Sequence, residues 1–242
     1  MLAYALATGV IFGLYFALVG VGMNLVFGVM RIVNLAHGDF IMLGAFSAFW
    51  LFRSLGLPAP AVIAISFAAF FLIGLPLYYA LVPRLFRSRE PEMLSLILFF
   101  GLSQTLEAAA SMLFGNSERS IPGRLLGGGP VPLFGQTVPF AWLYAAGVSA
   151  IMLVGVYVYL YQTRLGRQTR AIMAQREEAV AIGVDVHRIS AIAFGAGCGL
   201  AAVAGVFAPF MLGSFTPSLG IPLDLTAFAV IVIGSLGNPL GT

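Results

Sequence analysis

Hydrophobic positions run along this chain in long, nearly unbroken blocks rather than in alternation with polar ones. A membrane span needs about 20 mostly apolar residues. About seven stretches approach that pattern, at about 3–29, 40–53, 60–82, 93–114, 140–161, 189–213 and from about 225 to the chain end. These blocks have almost no polar faces, which argues against a soluble bundle of amphipathic helices. The expected fold is all-α: a polytopic integral membrane helix bundle forming one domain over residues 1–242. The second stretch is short for a crossing, and Gly56, Pro58 and Pro60 turn the chain back after it. Between the fourth and fifth stretches, residues 115–139 carry Pro122, Pro130, Pro132, Pro139 and the run Gly127-Gly128-Gly129, and are expected to form an irregular external loop.

Composition agrees with a membrane protein. The chain is 60% hydrophobic and only 9% charged, with a mean hydropathy of +1.02, against about 45–50% apolar content in soluble domains. The first residues lack a basic segment and the apolar run is too long for a cleavable signal peptide. Cys198 is the single cysteine, so neither an internal disulfide nor a cysteine metal site is available.

The sequence contains no lysine, so arginine alone sets the expected orientation. With residues 163–188 placed in the cytoplasm, Arg31, Arg84, Arg87, Arg89, Arg164, Arg167, Arg170, Arg176 and Arg188 fall inside, and only Arg53, Arg119 and Arg124 outside. That asymmetry satisfies the positive-inside rule and puts the N-terminus outside. The formal net charge of +3 then reflects membrane topology and gives no reason to expect a nucleic-acid partner.

Residues 163–188 are the charged island of an otherwise apolar chain, too short to be an enzyme domain. Read as one helix from Arg170 to Ile182, they gather Ile172, Met173, Ala179, Val180 and Ile182 on one face. Arg170, Ala174, Glu177, Glu178 and Ala181 fall on the other. Gly183 stands where such a helix would stop, because glycine adopts the left-handed conformation cheaply. The apolar face would pack on the spans and the small alanines would admit a cytoplasmic partner. A solvated loop that only satisfies the charge rule is the alternative from composition alone.

Polar residues within the apolar blocks are few, and each marks a candidate function. Asn24 lies in the first block, and Gln104 and Glu107, three apart, lie in the fourth. Glu107 either lines a solute route or reaches polar surroundings near a helix end. His37 and Asp39 supply only two ligands, too few for a zinc site, and no nucleophile and base mark an enzyme. Asn34 and Asp39 fit a capping role where non-helical chain enters the membrane. Small residues four apart, at Gly9 and Gly13, Gly195 and Gly199, and Ala201 and Gly205, permit close helix approach, either internally or between subunits. No Walker A sequence is present, so nucleotide chemistry would belong to another polypeptide.

Two stretches carry a family resemblance. Glu177-Glu178-Ala179-Val180-Ala181-Ile182-Gly183 resembles the EAA loop of ABC-importer permeases, with flanking Arg170-Ala171 and Val184-Asp185 similar to the branched-chain amino acid branch. Glu178 departs from it by placing a charge where the family keeps a small residue. The stretch from Gly13 to Gly28, continuing from Met30 to Ala45 through Asn34-Leu35-Ala36-His37-Gly38-Asp39-Phe40, resembles the signature of LivH-type permeases.

The resemblance implies the membrane subunit of an ATP-binding cassette importer in a bacterial inner membrane. Such a subunit moves branched-chain or related neutral amino acids inward by alternating access and carries no cofactor. It also implies cytoplasmic ATP-binding subunits docked on Arg170, Ala171, Ala174, Glu177, Glu178, Ala179 and Gly183. Further implied partners are a second permease subunit, homologous or identical, an external solute-binding protein and membrane lipid. Asn34, His37, Gly38 and Asp39 would then belong to the translocation region, with Asn24, Gln104 and Glu107 as further route candidates. Family members usually continue through more membrane segments, so the C-terminus is expected to be incomplete. Relatives with the same motifs serve urea and short amides. A transporter of another class, driven by an ion gradient through Glu107 or His37, is opposed by the lack of an inverted internal repeat.

Overall fold

The computed structural model describes residues 1–239 and 241. The chain folds as α1 (Leu2–Met30), α2 (His37–Leu55), α3 (Ala59–Leu85) and α4 (Pro91–Phe114), then a connecting segment over 115–139. It continues through α5 (Phe140–Gln162), α6 (Arg164–Ala174), α7 (Arg176–Ala181), α8 (Val186–Met211) and α9 (Gly220–Ile233). Among the described residues, α1, α3, α4, α5 and α8 are long and apolar enough to cross a membrane. The remaining two apolar segments of the sequence become α2 and α9. The expected extension of the last segment to the chain end takes in Leu240 and Thr242, which lie outside the described residues.

Helix α8 is the central pole, buried along almost its whole length between α1, α2 and α3. Its small residues explain this position. A methyl group on Gly195 or Gly199 would crowd Phe71 and Phe67 of α3, and one on Gly205 would overlap the Ile41 carbonyl of α2. Gly44 of α2 meets the Ala202 backbone in the same way. Close backbone approach replaces the hydrophobic drive that lipid does not provide. Gly9 and Gly13, by contrast, face open space. Ile97, Phe100, Met112, Ile151 and Val154 on α4 and α5 point outward, as expected for apolar side chains that meet lipid tails.

The connecting segment has more order than its proline and glycine content predicts. Gly123–Leu126 forms a 3-10 turn, and β1 (Val131–Leu133) pairs antiparallel with β2 (Gln136–Val138). Phe134 and Gly135 both take positive φ at the hairpin turn, the geometry that a two-residue loop between twisted strands favours. Arg119 exchanges two backbone hydrogen bonds with Phe215, at 3.0 and 2.8 Å. Its guanidinium lies over the rings of Phe46, Phe49, Trp50 and Phe114 at 5.3–5.9 Å.

Candidate functional site

Two helices begin in the middle of the bundle. After α1 ends at Met30, Arg31–Ala36 turns back along it, and His37 Nε2–H donates to the Val19 carbonyl at 3.0 Å. Val19 lies eleven residues before Met30, about 17 Å of helix, a distance six extended residues can cover. Asn34 shapes this return: its side-chain oxygen accepts from Ala36 N–H at 3.1 Å, and its carbonyl accepts from His37 N–H at 3.2 Å. The N-terminus of α2 therefore stands at mid-depth, and α2 runs toward the end that carries the hairpin.

Helix α9 mirrors it. Residues 212–219 turn back from the C-terminal end of α8, with Phe215 edge-on to Phe46 at 5.0 Å, and α9 then starts against α2. Gly38 N–H donates to Asp224 Oδ1 at 2.6 Å. Gly38 has no substitute here, because any Cβ would overlap the Gly220 carbonyl. From this junction α9 runs the opposite way, toward the cytoplasm-facing end of α1 expected from the arginines. There Asn24 binds the chain after it: its amide donates to the carbonyls of Ser235 at 3.3 Å and Asn238 at 3.0 Å, and its oxygen accepts from Gly237 N–H at 2.7 Å.

The junction is acidic. Asp39 is 0% exposed, and neither carboxylate oxygen has a hydrogen-bond partner. It packs beside Gly220, and Ser103 of α4 approaches it without completing a hydrogen bond. The charges acting on the pair are further carboxylates, Glu107 on Asp39 and Asp39 on Asp224. Glu107 also lines a pocket of about 320 Å³ with Ser111, Asn116, Thr216 and Ser218. Gln104 is exposed, while Glu107 is half-buried. The inward neighbour of Glu107 is thus Ser103, one turn earlier.

Asp224 and Ser103 have no place among the sequence candidates. Asp224 falls one residue before the expected start of the last apolar segment, where an acid reads as flanking polar chain. Only the return of residues 212–219 puts it at depth. Its sequence signal is a lone carboxylate at the edge of an apolar run, Asp224 between Leu223 and Leu225.

Helices α6 and α7 form a separate surface at the end where α5 finishes. Thr163 caps α6 by accepting from Gly166 N–H at 2.9 Å. Arg170 lies over Tyr161 at 4.3 Å, and Arg176 over Phe86 at 4.2 Å. Burial against that ring lowers the Arg176 pKa from its ordinary value, and Tyr78 opposes the shift. The expected single helix from Arg170 to Ile182 is broken at Gln175, whose backbone is extended at φ −149° and ψ 108°. The break lets both Ile172 and Ala179 bury against the bundle while Arg176 turns toward Phe86. It also corrects the expected faces: Val180 and Ile182 are 57% and 76% exposed, together with Ala174, Glu177, Glu178 and Ala181. Of the candidate docking residues, Ala179 is buried, and Arg170 and Ala171 are half-buried. Gly183 ends α7 at φ 84°, where sequence placed the stop.

Five helices long and apolar enough to cross a membrane, two shorter helices whose N-termini meet inside the bundle and an exposed helical appendage fit a membrane permease. The chain belongs to the family described as the permease component of branched-chain amino acid transport systems, whose family model matches residues 5–242. It is 27% identical to the high-affinity branched-chain amino acid permease BraD of Pseudomonas aeruginosa, over 96% of this chain and 79% of that protein. To LivH of Escherichia coli it is 24% identical over 95% of this chain and 78% of that protein. A shorter match, 33% identical over 36% of this chain and 26% of the relative, is to the fructose import permease FruG of Bifidobacterium longum. No solved structure matches the chain. The protein is a multi-pass membrane transport permease, as its relatives are named.

Proposed function

We propose that the protein is the membrane subunit of an ATP-driven importer that carries branched-chain or related neutral amino acids across the inner membrane. Separate ATPase subunits dock on the exposed surface of α6 and α7, around Ala174, Glu177, Glu178, Val180, Ala181 and Ile182. A second permease subunit completes the pathway, and an external solute-binding protein delivers the solute. The N-terminus lies outside, as the arginine distribution requires.

The observation that carries this reading is the physical link between the appendage and the mid-depth junction. Arg31 begins the segment that rises to His37, Gly38 and Asp39, and its guanidinium donates to the Met173 carbonyl in the last turn of α6 at 3.1 Å. Displacement of α6 is therefore transmitted to the N-terminus of α2. For ATP to drive transport, the docked ATPase must favour one arrangement of this link over the other. The direct test is leucine uptake by proteoliposomes holding the complete transporter. ATP-dependent accumulation supports the proposal, whereas accumulation on a proton gradient with no ATPase present would overturn it.

A further inference from the structure

The acidic junction supports a more specific statement, which rests on the permease reading above. We propose that Asp39, assisted by Ser103, Asp224 and Glu107, receives the protonated amino group of the solute in mid-membrane.

A fully buried carboxylate with both oxygens unpartnered is costly, because its charge has lost water without gaining donors. Asp224 has a partner in Gly38 N–H, so it caps α2. Asp39, in the first turn of α2, makes no corresponding bond to α9. The N-termini of α2 and α9 each offer a partial positive charge of about half a unit. That is too little to balance an ionised Asp39 at full burial. The charged groups that act on Asp39 and Asp224 are themselves carboxylates, and the donors beside them, Ser103 and Gly38 N–H, are neutral.

The missing component is thus a compact cation with several donors. A protonated primary amine has three N–H donors, which match the two free oxygens of Asp39 and the hydroxyl of Ser103. Access is provided on the outer side. The polar pocket of Glu107, Ser111, Asn116, Thr216 and Ser218 opens there, and Glu107 stands one helical turn from Ser103. Glu107 and Ser103 share one face of α4, which leads from this pocket toward Asp39.

The complete transporter in lipid nanodiscs, without the solute-binding protein, provides the test. Labelled leucine is bound in competition with isopentylamine, which keeps the amino group, and with 4-methylpentanoate, which keeps the carboxylate. The expected result is competition by the amine at a concentration at least about tenfold lower than by the acid, with Asp39→Asn weakening amine binding by about tenfold or more. Ser103→Ala, a milder change, is expected to weaken it in the same direction and serves if Asp39→Asn fails to fold. Equal competition by acid and amine, unchanged amine binding in both variants, or displacement of the amine by millimolar sodium would each overturn the inference. ATP-driven leucine uptake by the unmodified transporter checks the permease reading separately. Direct calorimetric binding of isopentylamine that depends on Asp39 upholds the site even where leucine is not the solute carried.

Discussion

Arg31 binds the Met173 carbonyl at 3.1 Å, joining the residue after α1 to the last turn of α6 across 142 positions of sequence. Arg31 itself sits in the left-handed region at φ 56°, uncommon for a side chain of this size. Its backbone turns the chain upward while its side chain holds the appendage. Arg31→Gly keeps the first role, since glycine accepts that conformation, and removes the second. The expected outcome is at least about a fivefold fall in solute transported per ATP hydrolysed, the scale of a modest coupling energy. ATP hydrolysis by the assembled complex is expected to persist. Parallel measurement of uptake and phosphate release checks this, and an unchanged ratio would show that α6 acts through another contact.

Gly38 and Gly9 give a paired prediction about packing. A Cβ on Gly38 overlaps the Gly220 carbonyl, a backbone atom held by the start of α9, whereas one on Gly9 meets nothing within 4 Å. Gly38→Ala should therefore destabilise the protein by about 1–3 kcal/mol, as overpacking does, and lower its thermal unfolding midpoint in detergent. Gly9→Ala should stay within about 0.5 kcal/mol of the parent. Equal midpoints for the two variants would mean that α2 and α9 are not in backbone contact.

The pattern of apolar blocks made most of the bundle legible, because a helix that meets lipid on one side and protein on the other needs no polar face. It did not reveal depth. The blocks that became α2 and α9 are shorter than the rest, yet nothing local to them tells a shallow crossing from a helix that begins halfway. That depends on His37 reaching Val19 and on Gly38 reaching Asp224, contacts across 18 and 186 residues. The pair of shorter helices likewise leaves no repeat in the sequence, since each needs only a glycine, a carboxylate and an apolar run. At the appendage, helical periodicity carried straight through Gln175, and the packing of Arg176 on Phe86 broke it.

Asn24 is buried and spends its amide on residues 235–238. Truncation to alanine leaves the Ser235 and Asn238 carbonyls and the Gly237 N–H without this partner. Asn24→Ala is expected to cost about 1–3 kcal/mol and to loosen the segment after α9. Labelling of a cysteine placed at Ser235, in a background with Cys198→Ala, should become faster in the variant. Unchanged labelling together with unchanged thermal stability would show that the chain holds this segment without Asn24.

Ile182 is 76% exposed beside Val180 on a surface otherwise made of alanines and two glutamates. Neighbouring exposed apolar side chains rimmed by charge mark an interaction surface, and interface energy concentrates in a few such anchors. Ile182→Asp should therefore weaken retention of the ATPase subunits by at least about tenfold, the effect of losing one anchor of about 1.4 kcal/mol. Because the side chain makes little contact with its own chain, the thermal midpoint of the isolated permease should not move. Glu178→Lys, on the same surface but solvated, should have the smaller effect on affinity and a larger dependence on salt. Titration of purified ATPase against permease in nanodiscs distinguishes these cases. Full-strength binding by Ile182→Asp would place the docking surface elsewhere on the cytoplasmic end and detach Arg31 from the drive.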